Sequence, residues 1–480
     1  MKFRADEIAS VCYFPVANSP GSGHTVFMKI ILDIVYFLAL LVASPVLLVR
    51  MIRYGRYRRG WSERLGKVPA RYGLQPVIWI HGVSLGEVGA ARGLVAELHS
   101  QLPDFKIVVS STTDTGLAAA QRFFAPAHDV FQWPMDFSWV VKRAMNRLRP
   151  GLVILIEGEA WPNFLAECNS RGVPAVIVNG RMSPNKGYPR YKLLGKFAGK
   201  LFNRLTAIGV QDEVYAEKFI ALGTSKDKVH VTGMMKFDSV EVASRLPGQD
   251  ELAQLLGLDG SQQKLLVAGG TGPGEEELLL RAYATLMKDS PDLRLAIVPR
   301  KPERFDEVAR LILAAGYPCL RRSACSVAQS PPAVDADVAQ SPPAVSPVIL
   351  GDTMGELRLF YALADFVFVG RSLIPAGGSD MIEAAALGRA TCFGPYTFNF
   401  PQAQALAKHG CVAVDDLDGL IEQLRNWLAN PDQAAAAGAQ AQQYVQSQQG
   451  ATRRNVELIC QTLGRVPAIH PGDIATEMLK

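Results

Sequence analysis

Several patterns that would assign a function at once are missing from the 480 residues. The seven cysteines are scattered, and no two have the C-x-x-C spacing, which argues against a disulfide framework and against a zinc site. No glycine-rich turn carries the Lys-Ser/Thr end of a P-loop or the full G-x-G-x-x-G fingerprint. A reducing compartment is therefore expected, and a dinucleotide-dependent dehydrogenase is the least favoured enzyme class.

Acidic residues are scarce in two segments of the chain. Arg50 to Arg71 contains eight basic side chains against Glu63 alone, and Arg181 to Arg204 contains seven against none. The whole chain has a formal charge of only +5, so the remainder is net acidic. Two basic islands on an acidic background favour an anionic partner, either nucleic acid or a membrane surface.

One long apolar run lies near the start. The 20 residues from Ile30 to Val49 are apolar except for Asp33, and this is about the length that crosses a hydrocarbon core. A cleaved signal peptide would have a shorter apolar core and a small-residue cleavage site, whereas an Arg cluster follows here. The sequence therefore predicts one uncleaved single-pass membrane anchor over 28–50, with the rest of the chain in the cytoplasm by the positive-inside rule.

Beyond this run, short apolar stretches alternate with helical patterns. VIWIHG, GLVILIEGE and LLVAGG are typical of buried parallel strands, and EVGAARGLVAELH has helical periodicity. A polar linker separates two such arrays, which predicts an α/β fold with two doubly wound domains facing a cleft. The expected boundaries are 1–27 (unstructured, or ahead of a true start at Met28), 28–50, 51–240, 241–450 (with a Pro-rich loop over 321–347, in which VAQSPPAV occurs twice) and 451–480 (a helix and tail).

In the first domain, HGVSLGE leads from a strand through a tight turn into a helix. Ser84 and Glu87 then lie at the carboxyl end of a strand, where open α/β sheets bind ligands. Ser84 as N-cap and Glu87 three residues later also match a capping box, and the local pattern favours that structural role. The functional alternative is that Glu87 is a general base.

Two further candidates lie in the same domain. Glu157 and Glu159 directly follow its most apolar strand, and two carboxylates there favour a functional role because burying either without a partner is costly. Lys236 is predicted to end the last strand next to the linker, where a solvated surface lysine is nearly as plausible.

The second domain has a glycine-rich turn and an Arg at strand ends. The turn at 268–277 offers backbone N–H groups to a phosphate, and Arg300 after Pro299 has the fork geometry for one. The turns at 351–357 and 377–383 each lead into a helix. Helix N-termini together with an Arg and an acid that grips a ribose indicate a nucleotide site.

The second basic island has an amphipathic pattern. Lys192, Lys196 and Lys200 are predicted to lie on one stripe of a helix, with apolar residues on another. Such a helix suits an anionic lipid surface, and an ordinary core helix with a solvated Lys face fits the pattern equally well.

Together these motifs resemble the 3-deoxy-D-manno-octulosonic acid (Kdo) transferase family of lipid A assembly. From about Tyr57 to beyond Phe400 the chain has, in the family's order, YRRGWSERLG, HGVSLGEVGAA, SSTTDTG, EGEAWPN, VTGMMKFD, PGEEE, PRKPERF, DTMGEL and FGPYTFNF. The resemblance implies a GT-B fold and inverting, metal-independent transfer of Kdo from CMP-Kdo to a lipid A precursor. It implies no cofactor, and inner-membrane phospholipid rather than nucleic acid as the anionic partner.

The resemblance also implies roles for individual residues. Glu87 matches the family's general base, and Glu157 and Lys236 match its supporting charged residues. The positions that match its CMP contacts are Pro299, Arg300, Met354, Gly355, Glu356, Asp380, Met381, Ile382 and Glu383.

The chain departs from the family's pattern in its donor loops. Gly270 and Gly272 stand where the family has Ser and His, and Met234 stands where it has Asn. Ser379, Asp380 and Met381 replace its His, Asn and Pro. Two alternatives therefore stay open: a GT-B transferase with another activated sugar donor, and an inactive membrane-tethered protein that binds a sugar nucleotide or lipid.

Overall fold

The computed structural model describes residues 23–54, 60–183, 187–258, 263–325 and 346–466. The repeated VAQSPPAV segment lies outside these residues. By its internal contacts the chain divides into two compact units. Unit 1 is Met1–Ser239 with Gln449–Lys480, and unit 2 is Val240–Gln448.

Unit 1 alternates strands and helices through most of its length. Its elements are α1 (Gly23–Tyr54), α2 (Trp61–Arg64), β1 (Val77–His81), α3 (Leu85–Gln101), β2 (Lys106–Ser111), α4 (Asp114–Phe124), β3 (Asp129–Gln132), α5 (Ser138–Leu148), β4 (Leu152–Ile156), α6 (Pro162–Ser170), β5 (Ala175–Gly180), α7 (Gly187–Leu193), α8 (Lys196–Phe202), β6 (Ala207–Val210), α9 (Glu213–Ala221), β7 (Val229–Val231), a 3₁₀ helix (Met235–Ser239) and α18 (Ala451–Thr462).

The described strands of unit 1 form one parallel sheet in the order β3-β2-β1-β4-β5-β6-β7. Every residue of β1 and β4 is buried, because helices cover both faces of a parallel sheet. Trp79 and Leu155 pack on one face, whereas Ile80 and Ile154 pack on the other, as the period of two requires. The apolar runs of the sequence are thus the central strands.

Unit 2 repeats the pattern. Its elements are α10 (Gln249–Leu255), β8 (Lys264–Thr271), α11 (Glu275–Leu286), β9 (Leu293–Pro299), a 3₁₀ helix (Pro302–Arg304), α12 (Phe305–Ala314), β10 (Cys319–Arg321), β11 (Val348–Leu350), α13 (Leu357–Leu363), β12 (Phe366–Val369), α14 (Ile382–Ala385), β13 (Ala390–Phe393), α15 (Ala403–Lys408), β14 (Val412–Ala413), α16 (Leu417–Ala429) and α17 (Pro431–Gln448). Its described strands form a second parallel sheet, β10-β11-β9-β8-β12-β13-β14. The prediction of two doubly wound α/β units is confirmed.

The first helix extends beyond the predicted anchor at both ends, since α1 runs from Gly23 to Tyr54. Its segment Lys29–Val46 is long and apolar enough to cross a membrane by length and composition, and none of that segment is buried. A membrane-attached helix is therefore consistent with the structure.

Two local predictions are wrong. The basic segment is not one continuous helix, because Gly195 takes a positive φ of 52° between α7 and α8. Lys192 therefore lies on a different helix from Lys196 and Lys200. Lys236 does not end a strand: β7 stops at Val231, and Lys236 lies in the 3₁₀ helix that follows the turn at Gly233.

Candidate active site

The strand order of unit 1 brings two of the predicted acids to one place. The chain moves outward from β1 to β3 and then returns to β4 on the other side of β1. Loops at such a switch point diverge and leave a crevice at the carboxyl ends of the strands. Glu87 follows β1 and Glu157 follows β4, so both lie at the switch point.

Glu87 caps its own helix and is buried. Its Oε2 accepts the Val83 N–H at 2.6 Å and its Oε1 accepts the Ser84 hydroxyl at 3.0 Å. The Ser84 Oγ in turn accepts the Glu87 N–H at 3.4 Å, as an N-cap does. The structural role predicted from the capping box is therefore present, with Val83 as the backbone donor.

The environment of Glu87 also gives it the protonation behaviour of a base. Burial is the main cause that raises the pKa of Glu87, and the negative charge of Glu157 raises it further. The hydrogen bonds from Val83 and Ser84 lower it, and the resulting pKa is about 7. A carboxylate with a pKa near neutrality suits proton transfer at neutral pH.

Glu157 is held in a strained backbone conformation. Its φ is 70°, in the left-handed region that residues other than glycine rarely adopt. Its Oε2 accepts a hydrogen bond from Arg181 Nε at 2.5 Å, and the Arg181 N–H binds the Glu157 carbonyl at 2.8 Å. Strain of this kind is concentrated at functional sites. The sequence marks Arg181 only as part of a basic island.

Two further candidates of unit 1 are Glu159 and Lys236. Burial raises the pKa of Glu159, and Arg190 on α7 lowers it. The N–H of Met235 donates to Asn179 Oδ1 at 3.1 Å, and the 3₁₀ helix that carries Lys236 contacts α3, which carries Glu87. The 3₁₀ helix that carries Lys236 therefore packs against the helix in whose first turn Glu87 lies.

Unit 2 has its own switch point, between β8 and β12. The Ser379 hydroxyl donates to the Gly270 carbonyl at 2.9 Å and so joins the loop that follows β12 to the last residues of β8. Gly270 has a φ of 68°, and a Cβ there would lie 2.7 Å from Ser379 Oγ. A side chain at 270 would therefore require Ser379 to shift, so two of the departures from the family pattern are in direct contact.

In unit 2 the first turn of α11 binds backbone N–H groups of two loops. The buried Glu275 carboxylate accepts the N–H groups of Gly272, Arg371, Ser372 and Leu373. Of the N–H groups in the turn at 268–277, that of Gly272 is thus bound to a carboxylate of the chain itself. Glu276 is also buried, and it pairs with Arg304 at 2.6 Å.

The charges of three predicted donor-site residues act on one buried hydroxyl. Burial raises the pKa of Tyr361 well above its usual value; Glu383 and Asp380 raise it further, and Arg300 lowers it. These charges therefore lie close enough to act on the same group. Tyr361 itself lies within α13 and had no signal in the sequence beyond apolar periodicity.

The other predicted donor contacts differ in what they present. Met354 is 70% exposed, and Gly355 has a φ of 92°. Glu356 accepts hydrogen bonds from Arg322 at 2.9 Å and from the Thr353 hydroxyl.

In the turn at 377–383 the Met381 and Ile382 side chains are fully buried, so this turn presents only backbone groups at those two positions. Pro299 ends β9, and the N–H of the exposed Arg300 binds the Thr271 carbonyl at 3.2 Å.

No group of three or more His, Cys, Asp or Glu side chains that would hold a metal ion occurs among the described residues. The charged groups that this chain brings to the two switch points are carboxylates and guanidinium groups. The chemistry they offer is proton transfer in unit 1 and binding of an anion in unit 2.

Comparison with a solved structure defines the class. UDP-GlcNAc 2-epimerase from Neisseria meningitidis shares the fold at 13% sequence identity and a TM-score of 0.54, over 80% of this chain and 100% of that chain. The tandem of two doubly wound parallel sheets is the GT-B fold. The chain therefore has the GT-B fold.

The family follows from sequence. A family model described as 3-deoxy-D-manno-octulosonic-acid transferase (kdotransferase) matches residues 59–239. The 3-deoxy-D-manno-octulosonic acid transferase of Bordetella pertussis is 32% identical, over 90% of this chain and 99% of its own length. The 3-deoxy-D-manno-octulosonic acid transferase of Haemophilus influenzae is 30% identical, over 88% of this chain and 97% of its own length. The chain belongs to the Kdo transferase family, and it is a glycosyltransferase.

Proposed function

We propose that this enzyme transfers Kdo from CMP-Kdo to a hydroxyl of a lipid A precursor, with inversion and with Glu87 as general base. The observation that carries the proposal is the buried Glu87 carboxylate at the switch point of unit 1, with a pKa of about 7. A group that is half ionised at neutral pH accepts the proton of a hydroxyl at least cost.

The reaction is a single displacement. The acceptor hydroxyl oxygen forms a bond to the anomeric carbon of Kdo while its proton passes to Glu87, and the bond from that carbon to the CMP phosphate breaks. The Arg300 guanidinium stabilises the charge of the departing phosphate. Burial raises the pKa of Glu87, and the negative charge of Glu157, which is fixed by Arg181, raises it further. Asp380, Glu383 and Glu356 are the carboxylates we assign to the ribose and base of CMP.

We assign the lipid side of the reaction to α7 and α8. Lys192, Lys196 and Lys200 are all exposed, and Leu193 beside them is 89% exposed. The Ala160 N–H donates to the Tyr191 hydroxyl at 3.4 Å, so α7 adjoins the loop that follows Glu157. Exposed lysines beside exposed leucines suit an anionic lipid, either the acceptor or the membrane surface.

We propose that the enzyme acts at the cytoplasmic side of the inner membrane, with α1 as its membrane attachment. The basic residues that follow α1 support this side, because they are attracted to the anionic surface of the cytoplasmic leaflet. Protease added to intact spheroplasts is expected to leave both units uncut. Digestion from the outside would contradict the orientation.

One assay tests the reaction against its alternatives. Purified enzyme is given CMP-Kdo or a series of UDP-sugars, with a tetra-acylated diphosphoryl disaccharide as acceptor, and lipid products are identified by mass. A Kdo adduct formed only from CMP-Kdo supports the proposal. Transfer from a UDP-sugar supports the second candidate, which the Gly270–Ser379 change in the donor loops motivates. Tight binding without a product would favour an inactive binding protein.

A further inference from the structure

The apolar helix α1 carries a polar stripe that contacts unit 1. Lys29, Asp33 and Tyr36 are spaced four and three residues apart, so they lie on one face of the helix. Lys29 Nζ is 3.1 Å from Glu167 Oε2 on α6. The first turns of α1 are therefore tied to the globular part of the chain.

Asp33 and Tyr36 continue this contact at the starts of α5 and α6. Asp33 Oδ1 accepts the Ser138 N–H at 2.8 Å, and its Oδ2 accepts the Ser138 hydroxyl at 2.5 Å. The Tyr36 hydroxyl donates to Asp136 Oδ2 at 3.0 Å, and Asp136 also accepts the Asn163 N–H at the start of α6. Asp33, the one charge that interrupts the apolar run, thus caps a helix of unit 1.

The opposite face of α1 is apolar and exposed. Leu41 is 60% exposed and Val42 is 80% exposed, and Ile34, Phe37 and Leu38 are each more than half exposed. Trp139, on the first turn of α5 beside the Asp33 contact, is 54% exposed as well. Apolar side chains with a Trp at their edge are typical of a helix at a lipid interface.

After α1 the chain enters the α/β part of unit 1 close to the place where α1 contacts it. The Met135 N–H donates to the Arg64 carbonyl at 2.9 Å, and the next residue is Asp136, the partner of Tyr36. The end of α1 at Tyr54 is about 27 Å beyond Tyr36 along the helix axis. The segment from Tyr54 to Gly60 reaches at most about 20 Å when fully extended.

Both ways of crossing a bilayer conflict with these contacts. With the start of α1 on the far side, a hydrocarbon core of about 30 Å would separate Lys29, Asp33 and Tyr36 from unit 1. With the end of α1 on the far side, the segment after Tyr54 is too short to return, and it contains Arg56, Arg58 and Arg59, which are costly in hydrocarbon.

We propose that α1 does not cross the membrane but lies in the leaflet that faces unit 1, docked through Lys29, Asp33 and Tyr36, with its apolar face among the lipid acyl chains. Both ends of the helix are then on the same side as the two units. This replaces the single pass predicted from the sequence, and it goes beyond the transfer reaction, because it is a statement about topology alone.

The first test locates the amino terminus. An epitope tag is added at the amino terminus of the full chain, and protease is applied to intact spheroplasts and to inverted membrane vesicles. The tag is expected to be lost only from inverted vesicles. Loss of the tag from spheroplasts would overturn the proposal.

The second test probes the docking itself, without any activity measurement. The pair Lys29→Cys and Glu167→Cys is expected to cross-link in membranes with a short thiol reagent, and the linked peptides are identified by mass. The matched control pair, Ile30→Cys with Glu167→Cys, places the first thiol on the exposed face and is expected not to react. Equal yields from both pairs, or none from the first, would overturn the docking.

A third measurement gives the depth of the helix. A spin label at Leu41→Cys in vesicles is expected to report a shallow position in the acyl region of one leaflet. A position at the bilayer centre would overturn the in-plane arrangement, and absence of lipid contact would show that another protein surface covers this face.

Discussion

The change Glu87→Gln separates the two roles of this side chain. Gln keeps the size of Glu, accepts the Val83 N–H through Oε1 and donates to Ser84 Oγ through Nε2, so the cap contacts at 2.6 and 3.0 Å have replacements. It cannot take a proton from a hydroxyl. We therefore expect a folded protein with normal CMP binding and a loss of about a hundredfold or more in turnover.

The pH dependence of stability gives an independent measure. Folding raises the pKa of Glu87 from 4.5 to about 7. The stability that comes from proton uptake is therefore fully present below pH 4.5 and is lost as the pH rises through about 7. At roughly 1.4 kcal/mol per pKa unit the loss amounts to about 3 kcal/mol. Glu87→Gln does not titrate, so its stability relative to wild type is expected to improve from pH 5 to pH 8.

The assays are denaturant unfolding at the two pH values and a pH–rate profile. In the wild type, kcat/KM is expected to rise with pH and level off above about pH 7, because the ionised carboxylate is the active form. In Glu87→Gln the residual rate is expected to lack this rise.

Two control variants complete this experiment. Ser84→Ala removes the N-cap and keeps the base, so it is expected to cost about 1 kcal/mol of stability. It is also expected to move the rise of the pH–rate profile to higher pH, because the Ser84 hydroxyl lowers the pKa of Glu87. Glu97→Gln, on the same helix, is expected to leave the rate unchanged. If Glu87→Gln keeps more than about a tenth of wild-type turnover, Glu87 is structural and the base is Glu157 or Glu159.

Three other variants test the remaining assignments. Glu157→Gln is expected to move the rise of the pH–rate profile to lower pH, because the negative charge of Glu157 raises the pKa of Glu87. An unchanged profile would show that Glu157 does not influence the pKa of Glu87. Arg300→Ala is expected to weaken CMP binding by about 1.5 to 3 kcal/mol in calorimetry, and equal affinity would remove Arg300 from the donor site. The third variant replaces three exposed lysines by Gln: Lys192, Lys196 and Lys200. It is expected to bind anionic vesicles more weakly and to have a higher acceptor KM with an unchanged kcat. Unchanged vesicle binding would show that α7 and α8 are ordinary surface helices.

The central strands could be predicted from the sequence because they are buried. A strand covered on both faces reads as a continuous apolar run, and β1, β4, β5, β8 and β9 are all of this kind. The edge strands β3, β10 and β14 are not predicted, because runs of two to four residues are too short to show a periodicity.

The candidate site was only partly accessible from sequence. Glu87 and Glu157 were found because both follow apolar strands, but their nearness depends on the order of the strands in the sheet, which no local pattern records. Arg181, which fixes Glu157, and Asp136, which binds Tyr36, are joined to their partners across long separations in the chain. The prediction of one continuous helix over the basic island is wrong at Gly195, because this glycine adopts a positive φ and the chain turns there.

The return of the chain to unit 1 has a practical consequence. Asp238 accepts the N–H groups of Gly450 and Thr452, and the Thr232 hydroxyl binds the buried Asn455 at 3.0 Å, so α18 is an integral part of unit 1. Unit 2 is therefore an insertion within unit 1. One uninterrupted gene segment, codons 240–448, encodes all of unit 2. Unit 1 has no such segment: a stop codon near 240 would leave its sheet without α18, and expressing it alone requires joining codon 239 to codon 449.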